Sequence, residues 1–128
     1  MKKIETPLDG AFIIEPQVFG DVRGWFYESY SKQKMHDIGI DVEFVQDNRS
    51  FSAQQGTLRG LHCQTSPMAQ TKLLTCLRGR IMDVAVDIRR GSPTYMQWTA
   101  VELSGENKKM FFIPCLLYTS PSPRDISG

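Results

Sequence analysis

The run Arg80 to Ile88, RIMDVAVDI, places Met82, Val84, Val86 and Ile88 on one side and Asp83, Ala85 and Asp87 on the other. A period of two residues is the signature of an extended strand, whose successive side chains point to opposite faces of a sheet. The rest of the chain repeats the theme in shorter form, with apolar or alternating runs cut by glycine, proline, asparagine and serine. The pattern predicts strands near Ala11 to Glu15, Trp25 to Ser29, Val42 to Ser52, Thr57 to Cys63, Thr71 to Leu77, Arg80 to Ile88, Tyr95 to Leu103 and Lys109 to Ile113. One helix is expected over Ser31 to Ile38, with Ser31 as N-cap and Gly39 as the stop. Many short strands and a single short helix define an all-β chain, best built as two antiparallel sheets closing around a cavity, the jelly-roll or small-barrel solution.

Length and composition narrow the classes further. A chain of 128 residues with 41% hydrophobic residues fits one domain with a sizeable core. Fifteen basic against 14 acidic residues leave a net charge of +1, so no general field draws the protein to nucleic acid or to an anionic membrane. An anionic ligand has to be held by particular arginines and lysines. The start, MKKIETPLDG, has no apolar run of signal-peptide length, and no membrane span is present, so a cytoplasmic location is expected. Cys63, Cys76 and Cys115 are odd in number and have no CxxC spacing, which argues against a disulfide framework and a zinc site. Cys76 reads as core.

Two groups of residues carry chemistry. The stretch Arg59 to Lys72, RGLHCQTSPMAQTK, sets a lone histidine and a lysine among apolar and turn-forming neighbours. An imidazole and an ammonium group on adjacent strands are what is needed to take a proton from carbon beside a carbonyl and hold the oxyanion that results. Taken singly, His62 equally reads as a packed core residue and Lys72 as a side chain reaching for water. In Phe44 to Ser52, residues Gln46, Asn48 and Ser50 share one face, turned either to solvent or to a pocket. Asp21, Arg23 and Gly24 form a turn leading into Trp25, Phe26, Tyr27 and Glu28. A guanidinium beside aromatics suits a ligand with a phosphate and a ring, since arginine forks hydrogen bonds to phosphate oxygens and aromatics stack on planar bases.

Joined in order, the segments DVRGWFYES (Asp21 to Ser29), FVQDNRSFS (Phe44 to Ser52), GTLRGLHCQ (Gly56 to Gln64), AQTKLL (Ala69 to Leu74), RIMDVAVDIRRGSPTY (Arg80 to Tyr95) and ELSGENKKMFFIP (Glu102 to Pro114) closely resemble the dTDP-4-dehydrorhamnose 3,5-epimerase family. The resemblance runs from about Ile4 to Pro114. It implies a cupin-type jelly roll, a homodimer, a dTDP-sugar substrate and no metal or organic cofactor. It also implies a reaction: epimerisation of dTDP-4-dehydro-6-deoxy-D-glucose at carbons 3 and 5 on the way to dTDP-L-rhamnose. Residue by residue, His62 matches the proton acceptor and Lys72 the cation that stabilises the enolate. Arg23, Glu28, Gln46, Asn48 and Arg59 match positions that bind the nucleotide-sugar, and Phe26 matches an aromatic wall. Strict alternation puts Arg59 and His62 on opposite faces of one strand, so a bulge or kink at Gly60 is expected.

The departures count as well. Cys63 stands where the family usually has tyrosine. After Pro114 the family continues with a loop, a tyrosine general acid and an aspartate that orients the base, none of which maps here, so the last strands of the jelly roll are expected to be missing. Residues 1–114 therefore read as a partial cupin domain. Residues 115–128, CLLYTSPSPRDISG, read as a tail outside the family, disordered or artefactual. Their two serine-proline pairs are expected to leave the ladder, and the segment resembles a translated sequencing adapter. Asp83 remains as a candidate to support His62 or Lys72, against the plainer reading of a carboxylate on a strand's exposed face. Two other functions stay open. One is a truncated cupin that binds a dTDP-sugar without turnover. The other is a metal-dependent cupin such as a dioxygenase, disfavoured because only His36 and His62 are available and no HxH pair exists.

Overall fold

The computed structural model describes residues 1–57 and 71–114 and the backbone of 117–123. Among the described residues nine strands and one helix follow in the order β1 (Lys2–Glu5), β2 (Phe12–Glu15), β3 (Val18–Asp21), β4 (Gly24–Tyr27), α1 (Lys32–Asp37), β5 (Lys72–Thr75), β6 (Arg80–Asp87), β7 (Trp98–Ser104), β8 (Met110–Ile113) and β9 (Leu117–Pro123). They form an antiparallel sheet β1-β2-β8-β5, a second sheet β7-β6-β9, and the separate hairpin β3-β4. No described helix is long and apolar enough to cross a membrane.

The two sheets meet face to face over one core. Phe111 and Ile113 of β8, Leu74 of β5 and Ile13 of β2 look toward Ile81 and Ala85 of β6 and Val101 and Leu103 of β7. The alternate residues of the first sheet, Phe12, Ile14, Leu73, Met110 and Phe112, pack a second cluster against Met35 of α1 and against Ile40, Val42 and Phe44. Strand β8 is buried on both sides, which explains why MFFI is apolar without alternation.

Helix α1 starts and stops as its sequence predicts. Ser31 is the N-cap, its Oγ accepting from the Lys34 amide at 3.2 Å. At the other end Gly39, at φ +87°, lets its own amide reach His36 O and the Ile40 amide reach Met35 O, the paired bonds of a Schellman stop.

Several expectations need correction. Residues 40–57 form no ladder, so the expected strand Val42 to Ser52 is absent. Val42 and Phe44 still turn inward while Glu43 and Val45 face water. Strands β1 and β3 were not anticipated. Residues 117–123, expected to leave the sheet, run antiparallel to β6 with Asp83 opposite Pro121 and Ile81 opposite Pro123. Proline is tolerated there because β9 is the edge strand among the described strands, where a missing N–H need not break a ladder. The expected strand Thr57 to Cys63, with its kink at Gly60, lies outside the described residues. Cys76 is core as expected, and burial pushes its thiol up.

Candidate active site

Among the described residues, the interior of the double sheet holds charged side chains from both sheets. Lys72 opens β5 directly opposite Ile113 of β8, on the face that also carries Leu74 and Cys76. Its half-buried side chain therefore enters the space between the sheets. Asp83 enters the same space from the facing sheet. It lies in mid-β6 opposite Val101, two residues from Ala85, and is 0% exposed. This reverses the plainer sequence reading, which put Asp83 on an exposed face. Neither carboxylate oxygen has a hydrogen-bond partner among the described residues. Burial pushes the carboxyl up to about 7, and the charge of Lys72 works against that rise.

Asp87, on the same strand and the same face, is equally buried but fully engaged. Arg89 donates through its amide at 2.9 Å, Nε at 3.0 Å and Nη2 at 2.9 Å, while the Ser92 and Thr94 hydroxyls donate at 2.6 Å each. Burial alone would raise this carboxyl, but those donors overcome it and hold the group well below the usual carboxylate range. Thr94 Oγ1 also accepts from the Asp9 amide at 3.1 Å, and Arg89 Nη2 donates to Asp9 O. Asp87 thus ties the loop after β6 to the loop between β1 and β2, a structural use of a buried acid.

The residues matched to ligand binding stand elsewhere. Arg23 tops the β3-β4 hairpin with Nη2 2.7 Å from Asp21 Oδ2, exposed to solvent; each partner holds the other in its charged form. Glu28 follows β4 and pairs with Lys34 Nζ at 2.9 Å. Gln46 Nε2 donates to Asn48 Oδ1 at 3.2 Å on the exposed segment after Phe44, which keeps their shared face. A shallow groove of about 430 Å³ runs along the hairpin, lined by Phe19, Gly20, Asp21, Arg23, Gly24, Trp25 and Phe26, and contains neither Lys72 nor Asp83. Arg59 and His62 lie outside the described residues. His36 is on α1 and contacts Asp41, which raises the imidazole's pKa through a hydrogen bond and then through charge. Among the described residues no three His, Cys, Asp or Glu side chains cluster as metal ligands.

Two antiparallel sheets with a cation and an unsatisfied acid between them define a cupin-type double-sheet protein with a polar interior site. A family model for dTDP-4-dehydrorhamnose 3,5-epimerase matches residues 5–118. The chain is 50% identical over 115 residues to the dTDP-4-dehydrorhamnose 3,5-epimerase of Shigella flexneri, an alignment covering 89% of this chain and 63% of that protein. The crystal structure of the Bacillus anthracis dTDP-4-dehydrorhamnose 3,5-epimerase, with TDP and PPi bound, superposes with a TM-score of 0.94 at 44% identity, covering 98% of this chain and 71% of that one. A dTDP-6-deoxy-D-glucose-3,5-epimerase from Legionella pneumophila, in complex with dTDP-4-keto-L-rhamnose, gives a TM-score of 0.87 at 46% identity over 98% of this chain and 66% of that one. The chain belongs to the dTDP-4-dehydrorhamnose 3,5-epimerase family. It spans 63% and 59% of the lengths of the Shigella and Methanothermobacter relatives.

Proposed function

We propose that this chain acts on a dTDP-linked 4-keto-6-deoxy sugar, epimerising dTDP-4-dehydro-6-deoxy-D-glucose at carbons 3 and 5 to dTDP-4-dehydro-L-rhamnose in the cytoplasm. The observation that carries the reading is the turn of Lys72 into the space between the sheets of a chain belonging to this family. Hydrogens on carbons flanking a ketone become removable when the enolate oxygen meets a positive charge in a site shielded from water. In this reading Lys72 supplies that charge and His62 takes the proton, an imidazole with an ordinary pKa of about 6.5 being neutral and basic near physiological pH. Return of a proton to the opposite face of the carbon inverts it.

The nucleotide falls to Arg23, Glu28, Gln46, Asn48 and Arg59. Support comes from the ligands of the relatives, TDP and PPi in the Bacillus anthracis structure and dTDP-4-keto-L-rhamnose in the Legionella one. The protein acts as a homodimer in this reading. The hairpin bearing Arg23 leaves Phe19, Trp25 and Phe26 57%, 60% and 70% exposed, an apolar surface suited to a second copy.

A second reading is a cupin that binds a dTDP-sugar without turnover. Calorimetric titration with dTDP beside an assay for deuterium uptake from heavy water into the 4-keto sugar separates the two. Binding with exchange is the expected result. Binding without exchange favours the second reading, and the absence of both refutes the pair.

A further inference from the structure

Burying a carboxylate without a hydrogen bond costs several kcal/mol, so natural cores rarely keep one unless something is gained. Asp83 is such a group, with 0% exposure and two unpartnered oxygens in the middle of β6. The described side chains on the same faces of the neighbouring strands are otherwise apolar. Strand β7 offers Val101 and Leu103, β8 offers Phe111 and Ile113, and β2 offers Ile13. On its own strand the other acid, Asp87, is committed to Arg89, Ser92 and Thr94. From β5 come the Cys76 thiol, which burial keeps neutral, and Lys72, the charged group that acts on the Asp83 carboxyl.

We propose that Asp83 is the positioning residue of Lys72: its carboxylate, reaching from the opposing sheet, draws the ammonium group into the interior and holds it where the oxyanion of the reacting sugar forms. A lysine has four rotatable bonds and a strong preference for water. At the end of an edge strand such as β5, nothing apolar would keep its ammonium inside. A negative charge deep in the facing sheet does, because attraction is strong where water is scarce. Asp83 touches no solvent and does not line the groove along the β3-β4 hairpin, so it acts through Lys72 rather than on the ligand. Since the carboxyl titrates near 7, this hold tightens as the pH rises through neutrality. The chemical consequence rests on the proposed function; the pairing itself does not.

Two measurements on the full chain test the idea. The first follows the Asp83 carboxyl carbon by NMR titration in the wild type, Lys72→Met and Lys72→Arg. The midpoint is expected to rise in Lys72→Met and to stay near the wild-type value in Lys72→Arg; an unmoved midpoint in Lys72→Met overturns the pairing. The second compares deuterium exchange in the wild type and in Asp83→Asn, a variant of the same shape whose fold is checked by circular dichroism. Loss of a positioning contact predicts kcat lower by about tenfold near pH 8 with KM within roughly twofold, and a ratio that closes toward one near pH 5.5, where both side chains are neutral. A loss independent of pH, or confined to KM, overturns the positioning role. If the wild type shows no exchange at all, the proposed function fails and the first measurement alone decides the pairing.

Discussion

The most demanding prediction concerns the stability that Asp83 removes as it ionises. Its carboxyl has a folded-state midpoint of about 7 against 3.8 for the free group, so the folded protein holds this proton more tightly than the unfolded chain. Below about pH 4 both states are protonated and Asp83 contributes nothing to pH dependence. Between about pH 4 and pH 7 the unfolded chain has lost the proton and the folded chain has not, so stability falls as pH rises; above about pH 7 both are ionised and the loss is complete. A shift of about three units at 1.36 kcal/mol each gives about 4 kcal/mol, a large share of the 5–15 kcal/mol typical of a domain. Asp83→Asn removes this titration while keeping the side chain's shape. Urea unfolding of both proteins across about pH 4 to 8 should give two curves whose separation grows by about 4 kcal/mol in favour of the variant, because every other titrating group cancels in the difference. Parallel curves would refute the assignment of an ionisable group to this interior, whatever the enzyme does.

Asp87→Asn breaks a buried charge pair and should cost roughly 3–5 kcal/mol at neutral pH. Because the folded-state carboxyl lies below its unfolded value, that contribution is whole above about pH 4 and is lost as the pH falls further, so the variant's acid unfolding should flatten when followed by circular dichroism. Phe26→Asp places a charge on the exposed hairpin; under the proposed homodimer, sedimentation should show the wild type as dimer and the variant as monomer, and a wild type that sediments as monomer refutes the dimer. Phe111→Ala, at a site 0% exposed between the sheets, should lower stability by about 3–5 kcal/mol in urea titration, more than the same change at the exposed Phe51.

Much of this fold was legible because its strands are locally self-consistent. β2, β4, β5, β6, β7 and β8 all fall within runs of apolar or alternating residues, and α1 carries its own start and stop in Ser31 and Gly39. The failures have physical reasons. β1 reads KKIE, and nothing in three charged residues announces a strand; it forms because Ile4 pairs opposite Ile13 of β2. The converse holds for Val42 to Ser52, whose alternation is correct about facing at Val42 to Val45 but to which no strand is assigned among the described residues. For the site, the lysine was legible from its place in the motif. Its partner was visible only as one member of an ambiguous face.

That ambiguity is instructive. In β6 the period of two sorts Met82, Val84 and Val86 from Asp83, Ala85 and Asp87, and composition then suggests that the valine face is the inner one. The structure chooses the other face, which puts two carboxylates and an alanine into the interior. A register shift by one residue would exchange the faces and free both acids, so what holds the observed arrangement has to outweigh their desolvation. For Asp87 the compensation is direct: charged and hydroxyl donors satisfy its oxygens and stitch two loops together. For Asp83 no such compensation exists among the described residues; what acts on it is the Lys72 charge. Where local rules are broken and local bonding among the described residues does not repay the cost, function is the reason we propose for the residue, and this contrast between two acids on one strand sets a structural buried carboxylate beside one proposed to serve the chemistry.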